Sequence, residues 1–226
     1  MDRVVEVYTG AYASGKSEIS INRAIMLHQQ TGQIITLVDL DTVEPAYTLR
    51  PIKKEIEKHG VKVITQESYF GLGEAGNTIT GDQMTCLSNS GNIVIDVGYG
   101  VGGLDILEVI TGINTEKNLN IYIVINASKH ETSNTQDIID YIKWSQGIQK
   151  KEWKKFSGIV SNTHFGDETS KEDVINGLRK TQEAASELNI PIIALAVSEK
   201  IFPKFGAEFE GIPVWPLQRF MPKALW

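Results

Sequence analysis

The chain has 226 residues, long enough for one substantial core, and its 22 basic and 28 acidic side chains give a formal net charge of -6. No Lys/Arg cluster offsets that balance, so direct nucleic-acid binding is not expected. A single cysteine, Cys86, excludes an intrachain disulfide and a zinc or iron–sulfur cluster built by one chain.

The first apolar run, Arg3 to Thr9, reads as a buried strand that begins within a few residues of the N-terminus. That leaves no room for a signal peptide, and no apolar run reaches the length of a membrane span, so the expectation is a cytoplasmic protein away from the membrane. Directly after the strand, Gly10-Ala11-Tyr12-Ala13-Ser14-Gly15-Lys16-Ser17 satisfies GxxxxGK[ST] at every fixed position. From Ser17 to Gln30, Ile21, Ala24 and Ile25 have helical spacing. Strand, glycine loop and helix in this order make a phosphate cradle. Backbone N–H groups and the helix N-terminus face the anion, Lys16 reaches the β- and γ-phosphates, and Ser17 can ligate Mg²⁺.

Further along, the strand-like run Gln33 to Leu40 carries Asp39-Leu40-Asp41 at its end, with both carboxylates on the same side of an extended chain. After a strand at Val61 to Thr65, the stretch Gln66 to Gly81 is long, glycine-containing and without periodicity, the kind of loop that often carries function. The apolar strand Asn92 to Ile95 then delivers Asp96, the Walker B pattern, in which a carboxylate holds Mg²⁺ through the ion's water shell. Gly98-Tyr99-Gly100 follows, a loop whose N–H can sense the γ-phosphate. Two GxGxxG matches, Gly71 to Gly76 and Gly98 to Gly103, do not make a dinucleotide site. The first lacks a tight strand-to-helix turn, and the strand after the second ends at Asn126 rather than at an acid for a ribose hydroxyl.

Later strands are expected at Asn120 to Asn126, Phe156 to Asn162 and Ile190 to Val197, and helices at Leu104 to Thr111, Thr132 to Ser145 and Lys171 to Leu188. This alternation predicts an α/β domain with a mostly parallel sheet covered on both faces. In such sheets ligands gather at the carboxyl ends of the strands, where the acids above lie. The guanine-reading NKxD pattern is absent after both Asn126 and Asn162, which favours adenine; His164, next to Asn162, is either a ring that stacks near a base or, as a lone strand-end His more often is, an ordinary loop residue.

Taken together, Gly10 to Ser17, Val38-Asp39-Leu40-Asp41, Ile95-Asp96 with Gly100, and Ile159-Val160-Ser161-Asn162 resemble the MinD/ParA/CobQ-like group of P-loop NTPases, the SIMIBI class, over most of the chain. The resemblance implies a central sheet of about seven strands, with ATP and Mg²⁺ as ligands. It makes Asp41 the acid that positions the attacking water, Asp39 a magnesium-side acid beside Ser17 and Asp96, and Asn162 the adenine contact. Glu18 and Pro45 match a branch with GAxxSGK[ST]E and DLDxVxP segments, which adds Glu18 to the nucleotide-binding set. The group's best-known members carry a lysine that acts across a dimer where this chain has Ala11; Arg50 or a partner's cation would have to replace it.

MinD also uses a C-terminal amphipathic helix on membranes. Here Trp215, Phe220, Met221 and Trp226 stand among Pro213, Pro216 and Pro222, so 205–226 is expected to be a tail packed on the single domain or on a partner. The leading functional expectation is an ATPase switch that hydrolyses the γ-phosphate, with a nucleotide-dependent homodimer and a protein partner. Two alternatives stand beside it. One is an ATP-dependent ligase or small-molecule kinase of the CobQ/dethiobiotin-synthetase kind, and the other is a nucleotide-binding module with negligible turnover.

Overall fold

The computed structural model describes residues 3–42, 49–66, 78–147 and 151–221. Pro45, the first GxGxxG match, most of the 66–81 loop and the last five residues lie outside that set. Each run of alternating Val, Ile and Leu becomes a strand: β1 (Val5–Gly10), β2 (Ile35–Leu40), β3 (Val61–Ile64), β4 (Asn92–Val97), β5 (Leu119–Ile125), β6 (Gly158–Ser161) and β7 (Ile192–Ser198). Between them run α1 (Lys16–Thr31), α2 (Lys53–Glu57), α3 (Gly81–Met84), α4 (Gly100–Asp105), α5 (Thr135–Ser145) and α6 (Lys171–Leu188). Two further strands, β8 (Glu208–Phe209) and β9 (Ile212–Leu217), complete a nine-stranded sheet in the order β3-β2-β4-β1-β5-β6-β7-β9-β8. Only the β8–β9 pair is antiparallel; the others are parallel.

The sheet has nine strands rather than about seven because part of the expected tail is a hairpin on its edge. Glu210 (φ 53°) and Gly211 (φ 78°) are both left-handed, the requirement of a two-residue hairpin turn whose twist matches its strands. Pro213 and Pro216 hide β9 from a propensity reading. They are tolerated because β8 pairs only with Ile212 and Pro213, leaving most of β9 as edge strand.

Side-chain alternation sorts the core onto the two faces of the sheet. Val5, Val7, Ile93, Ile95, Ile121 and Ile123 pack with Leu104, Ile138 and Ala184 of α4, α5 and α6. Ile35, Leu37, Val94 and Val124 pack on the opposite face with Ile21 of α1 and Ile56 of α2.

The helix ends follow local chemistry. At the C-terminus of α1, left-handed Gly32 donates its N–H to the His28 carbonyl at 2.8 Å. A capping box between Ser170 and Asp173 opens α6. α5 starts at Thr135 rather than Thr132, because the Asn134 side chain accepts the Asp137 N–H while 130–132 form a 3₁₀ turn. The helix expected at Leu104 begins earlier, at Gly100, and gives way to a 3₁₀ turn over Ile106–Val109. Among the described residues no helix is long and apolar enough to cross a membrane.

Candidate functional site

Parallel pairing brings the carboxyl ends of β1, β2, β4, β5 and β6 to one edge of the sheet, and the register sets Asp39 of β2 directly beside Asp96 of β4. The loop Gly10 to Gly15 joins β1 to α1 at this edge, so the N-terminus of a 16-residue helix points into it. Ala13 takes a left-handed φ of 53° in the loop, a cost of order 1 kcal/mol that must be held in place by the surroundings. Two strand-end amides hold it. Asn162, after β6, donates Nδ2–H to the Ser14 carbonyl at 2.8 Å. Asn126, after β5, donates to the Ala13 carbonyl at 3.4 Å while its Oδ1 accepts the N–H groups of Ser128 (3.1 Å) and His164 (3.2 Å). Gly15 is required here: its φ is 85°, and a Cβ would lie 2.4 Å from the Asn162 amide nitrogen.

Lys16, buried at the start of α1, places Nζ 3.2 Å from Oδ2 of Asp41. Asp39 is locked behind it. One of its oxygens accepts the Asp41 N–H at 3.1 Å, the other accepts the Thr65 hydroxyl at 3.0 Å, and Arg50 Nε stands 3.8 Å from the latter. Burial raises the Asp39 carboxyl to about 6 in spite of Arg50.

Asp96 is fully buried, and its Oδ1 accepts a long hydrogen bond from Ser20 Oγ at 3.4 Å. Burial raises its carboxyl to about 8; Lys16 opposes the shift and Asp41 adds to it. Its Oδ2 is buried with no hydrogen-bond partner among the described residues. An orphaned carboxylate oxygen among three buried acids is the environment a divalent cation relieves, so the residues present fit Mg²⁺. No cage of three His, Cys, Asp or Glu side chains occurs among the described residues.

On the other side of Gly15 a cleft opens between the segment after β6, which carries Asn162, His164 and Asp167, and the end of β7 at Ser198. Burial, with Lys129 and Arg219 nearby, lowers the His164 imidazole to about 4, so it is neutral at physiological pH. Asp167 on the rim pairs with Lys200 (2.9 Å) and Arg219 (3.4 Å).

Two expected positions have other engagements in this structure. Glu18 accepts the N–H groups of Phe220 (3.0 Å) and Met221 (2.6 Å), and Asn22 exchanges two hydrogen bonds with the Gln218 backbone. Residues 218–221 are thereby strapped along the first turns of α1. Burial raises the Glu18 carboxyl in spite of those two donors. The Gly100 N–H donates to Tyr141 Oη at 3.4 Å.

The structure thus brings the expected positions Gly10 to Ser17, Asp39, Asp41, Asp96, Gly100 and Asn162 to one edge of the sheet. Asn126, Thr65 and Asn22, not among the expected positions, support that edge through hydrogen bonds. Asn126 was within reach, because it directly follows β5 at the same edge where Asp96 nears the end of β4. Thr65 and Asn22 carry no motif and matter only through tertiary contacts.

No family model matches the sequence, and no curated protein does. Solved structures do match. The signal recognition particle receptor FtsY from Elizabethkingia anophelis in complex with GDP is 14% identical, with a TM-score of 0.58 over 87% of this chain and 57% of that one. The cell division protein FtsY from Thermotoga maritima is 17% identical, with a TM-score of 0.55 over 87% of this chain and 62% of that one. Another structure of the E. anophelis receptor is 13% identical, with a TM-score of 0.55 over 98% of this chain and 63% of that one. This chain therefore spans less than two thirds of the length of each. The likeness establishes the fold, an α/β architecture with a mostly parallel central sheet.

Proposed function

We propose that this chain is a Mg²⁺-dependent nucleoside triphosphatase, with ATP as its substrate, acting as a nucleotide-controlled switch. The observation that carries the reading is the meeting of Lys16, Asp41 and the unpartnered Asp96 oxygen beside a helix N-terminus and a left-handed glycine loop. The phosphates lie against the N–H groups of the loop, with the loop's shape kept by Asn126 and Asn162. Ser17 and Asp96 would hold Mg²⁺, with Asp39 behind them, and the ion would supply charge neutralisation for the phosphate oxygens.

Lys16 exchanges Asp41 for the phosphates as they arrive. Asp41, relieved of its cation, accepts a hydrogen bond from the attacking water and sets it in line with the bond to the leaving β-phosphate. Loss of the γ-phosphate lets Lys16 return to Asp41. Asp41 begins the stretch after β2 and Gly100 begins α4, so both elements feel that exchange. Homodimerisation, or docking of a protein partner, is the readout this switch serves.

Adenine is favoured because neither Asn126 nor Asn162 opens an NKxD pattern. The second reading, GTP, is supported by the GDP in the E. anophelis receptor and by the Asp167 carboxylate on the cleft, an acceptor suited to the guanine edge. Competition for a fluorescent nucleotide, with Mg²⁺ and either ATP or GTP, decides between them. Preference for ATP by more than about tenfold supports the first reading, and the reverse supports the second.

A further inference from the structure

A second pocket lies across the phosphate loop from the cleft, lined by Ala11, Tyr12, Tyr99, Glu131, Tyr141 and Trp144. Its walls come from four separate parts of the fold. Ala11 and Tyr12 belong to the phosphate loop, Tyr99 caps α4, Glu131 sits in the 3₁₀ turn after β5, and Tyr141 and Trp144 project from α5. The rings form two touching pairs. Tyr12 meets Tyr99 edge-on at 6.3 Å between centroids, and Tyr141 meets Trp144 at 5.7 Å. Trp144 also covers Gly100, where a Cβ would lie 2.6 Å from the indole.

Tyr12 is 44% exposed and Trp144 55%, so two large rings are left open to solvent on one rim. Among the described residues neither lysine nor arginine lines this pocket, and the one charged lining side chain is the exposed carboxylate of Glu131.

Four electron-rich ring systems lining a pocket together with a carboxylate, with no cation among the described lining residues, have the chemistry of a receptor for an organic cation. An apolar ligand would gain nothing from Glu131, and an anion would be repelled by it. The geometry points to this basket as a docking site for a lysine or arginine side chain presented by a protein partner. Exposed Trp and Tyr at the mouth are the side chains that dominate such contacts, and charge complementarity selects the cation. An occupant would press on Ala11 and Gly100 together, and so on the phosphate loop and α4 at once.

The test uses the full chain without nucleotide and N-acetyl-arginine methylamide as probe, followed by indole resonances in NMR and by calorimetry. The citrulline analogue serves as a neutral control of the same shape, and tetramethylammonium as a cation without an amino-acid frame. Saturable binding of the arginine probe that shifts the Trp144 resonance is expected. It should weaken by about fivefold to tenfold for the citrulline analogue, and by a similar factor in Glu131→Gln and Trp144→Ala. Both substituted side chains are exposed, and a parallel titration with fluorescent Mg-nucleotide, unchanged in these variants, separates this result from the nucleotide reading.

Equal binding of arginine and citrulline probes would overturn the inference, as would no saturation in the wild type. Tighter binding of tetramethylammonium than of the arginine probe would replace the protein side chain with a small organic cation, and so also overturns it.

Discussion

The Nζ of Lys16 lies 3.2 Å from Oδ2 of Asp41, which ties the phosphate loop to the segment leaving β2 through two buried side chains. In this arrangement the lysine that would bind phosphate and the acid that would orient water neutralise each other. The pair also counters part of the repulsion among Asp39, Asp41 and Asp96. Each arriving phosphate group competes with Asp41 for the same ammonium, which links substrate binding to release of the acid.

Removing the cation should therefore be felt before any chemistry. Lys16→Met is expected to lower the unfolding free energy of the nucleotide-free protein by about 3 kcal/mol, the usual scale for breaking a buried pair. It should also abolish the thermal stabilisation that Mg-nucleotide gives the wild type. Thermal unfolding with and without Mg-ATP measures both. A variant as stable as the wild type would mean that the contact carries no weight.

His164 sets a pH dependence of known sign. Its imidazole titrates at about 4 in the folded protein against 6.5 unperturbed, so between those values the unfolded chain takes up a proton that the folded chain does not. Its contribution to stability is complete above 6.5 and is lost as pH falls towards 4, by at most about 3 kcal/mol. The raised acids Asp39 and Asp96 act in the opposite sense, because they bind protons more readily when folded. The measurement is consequently a difference. Urea unfolding of His164→Gln should show a smaller loss of stability than the wild type from pH 6.5 to 4.

Asn162 separates two roles by experiment. Its amide donates to the Ser14 carbonyl, so Asn162→Ala should loosen the phosphate loop and weaken ATP and GTP alike, by about tenfold. A change in the ratio of the two affinities, with little loss overall, would instead make it a base contact. Competition binding reports both quantities at once.

Most of the sheet was legible because its strands are apolar runs bounded by turns, and the acids because they end those runs. Asp96 is the clearest case: the apolar run of the Asn92–Val97 strand carries one acidic side chain near its carboxyl end. The β8–β9 hairpin was not legible, since Pro213 and Pro216 suppress strand propensity and the edge position that excuses them is a tertiary fact. The engagement of Glu18 with the C-terminal segment was not legible either, for a similar reason. Its partners, Phe220 and Met221, lie about 200 residues away, and no local pattern announces a backbone strap. The position of Asn162 just after β6 was legible, but its contact with the Ser14 carbonyl depends on how closely β6 approaches the loop.

The strap gives another expectation. Glu18→Ala leaves the Phe220 and Met221 N–H groups without acceptors, a loss of about 1–3 kcal/mol for the segment. Hydrogen exchange at residues 218–221 should rise sharply in this variant while exchange in β1 and β4 stays slow. Unchanged protection would show that the strap is held by Asn22 and apolar packing alone.

The central claim is tested most directly by single-turnover hydrolysis of γ-labelled Mg-ATP by the wild type and by Asp41→Asn, with nucleotide affinity measured in parallel. Release of labelled phosphate by the wild type, slowed by about 100-fold or more in the variant at undiminished affinity, is the predicted result. Equal rates in the two proteins, or a loss of rate that merely follows a loss of binding, would contradict the role assigned to Asp41 and the exchange of Lys16 on which the switch depends.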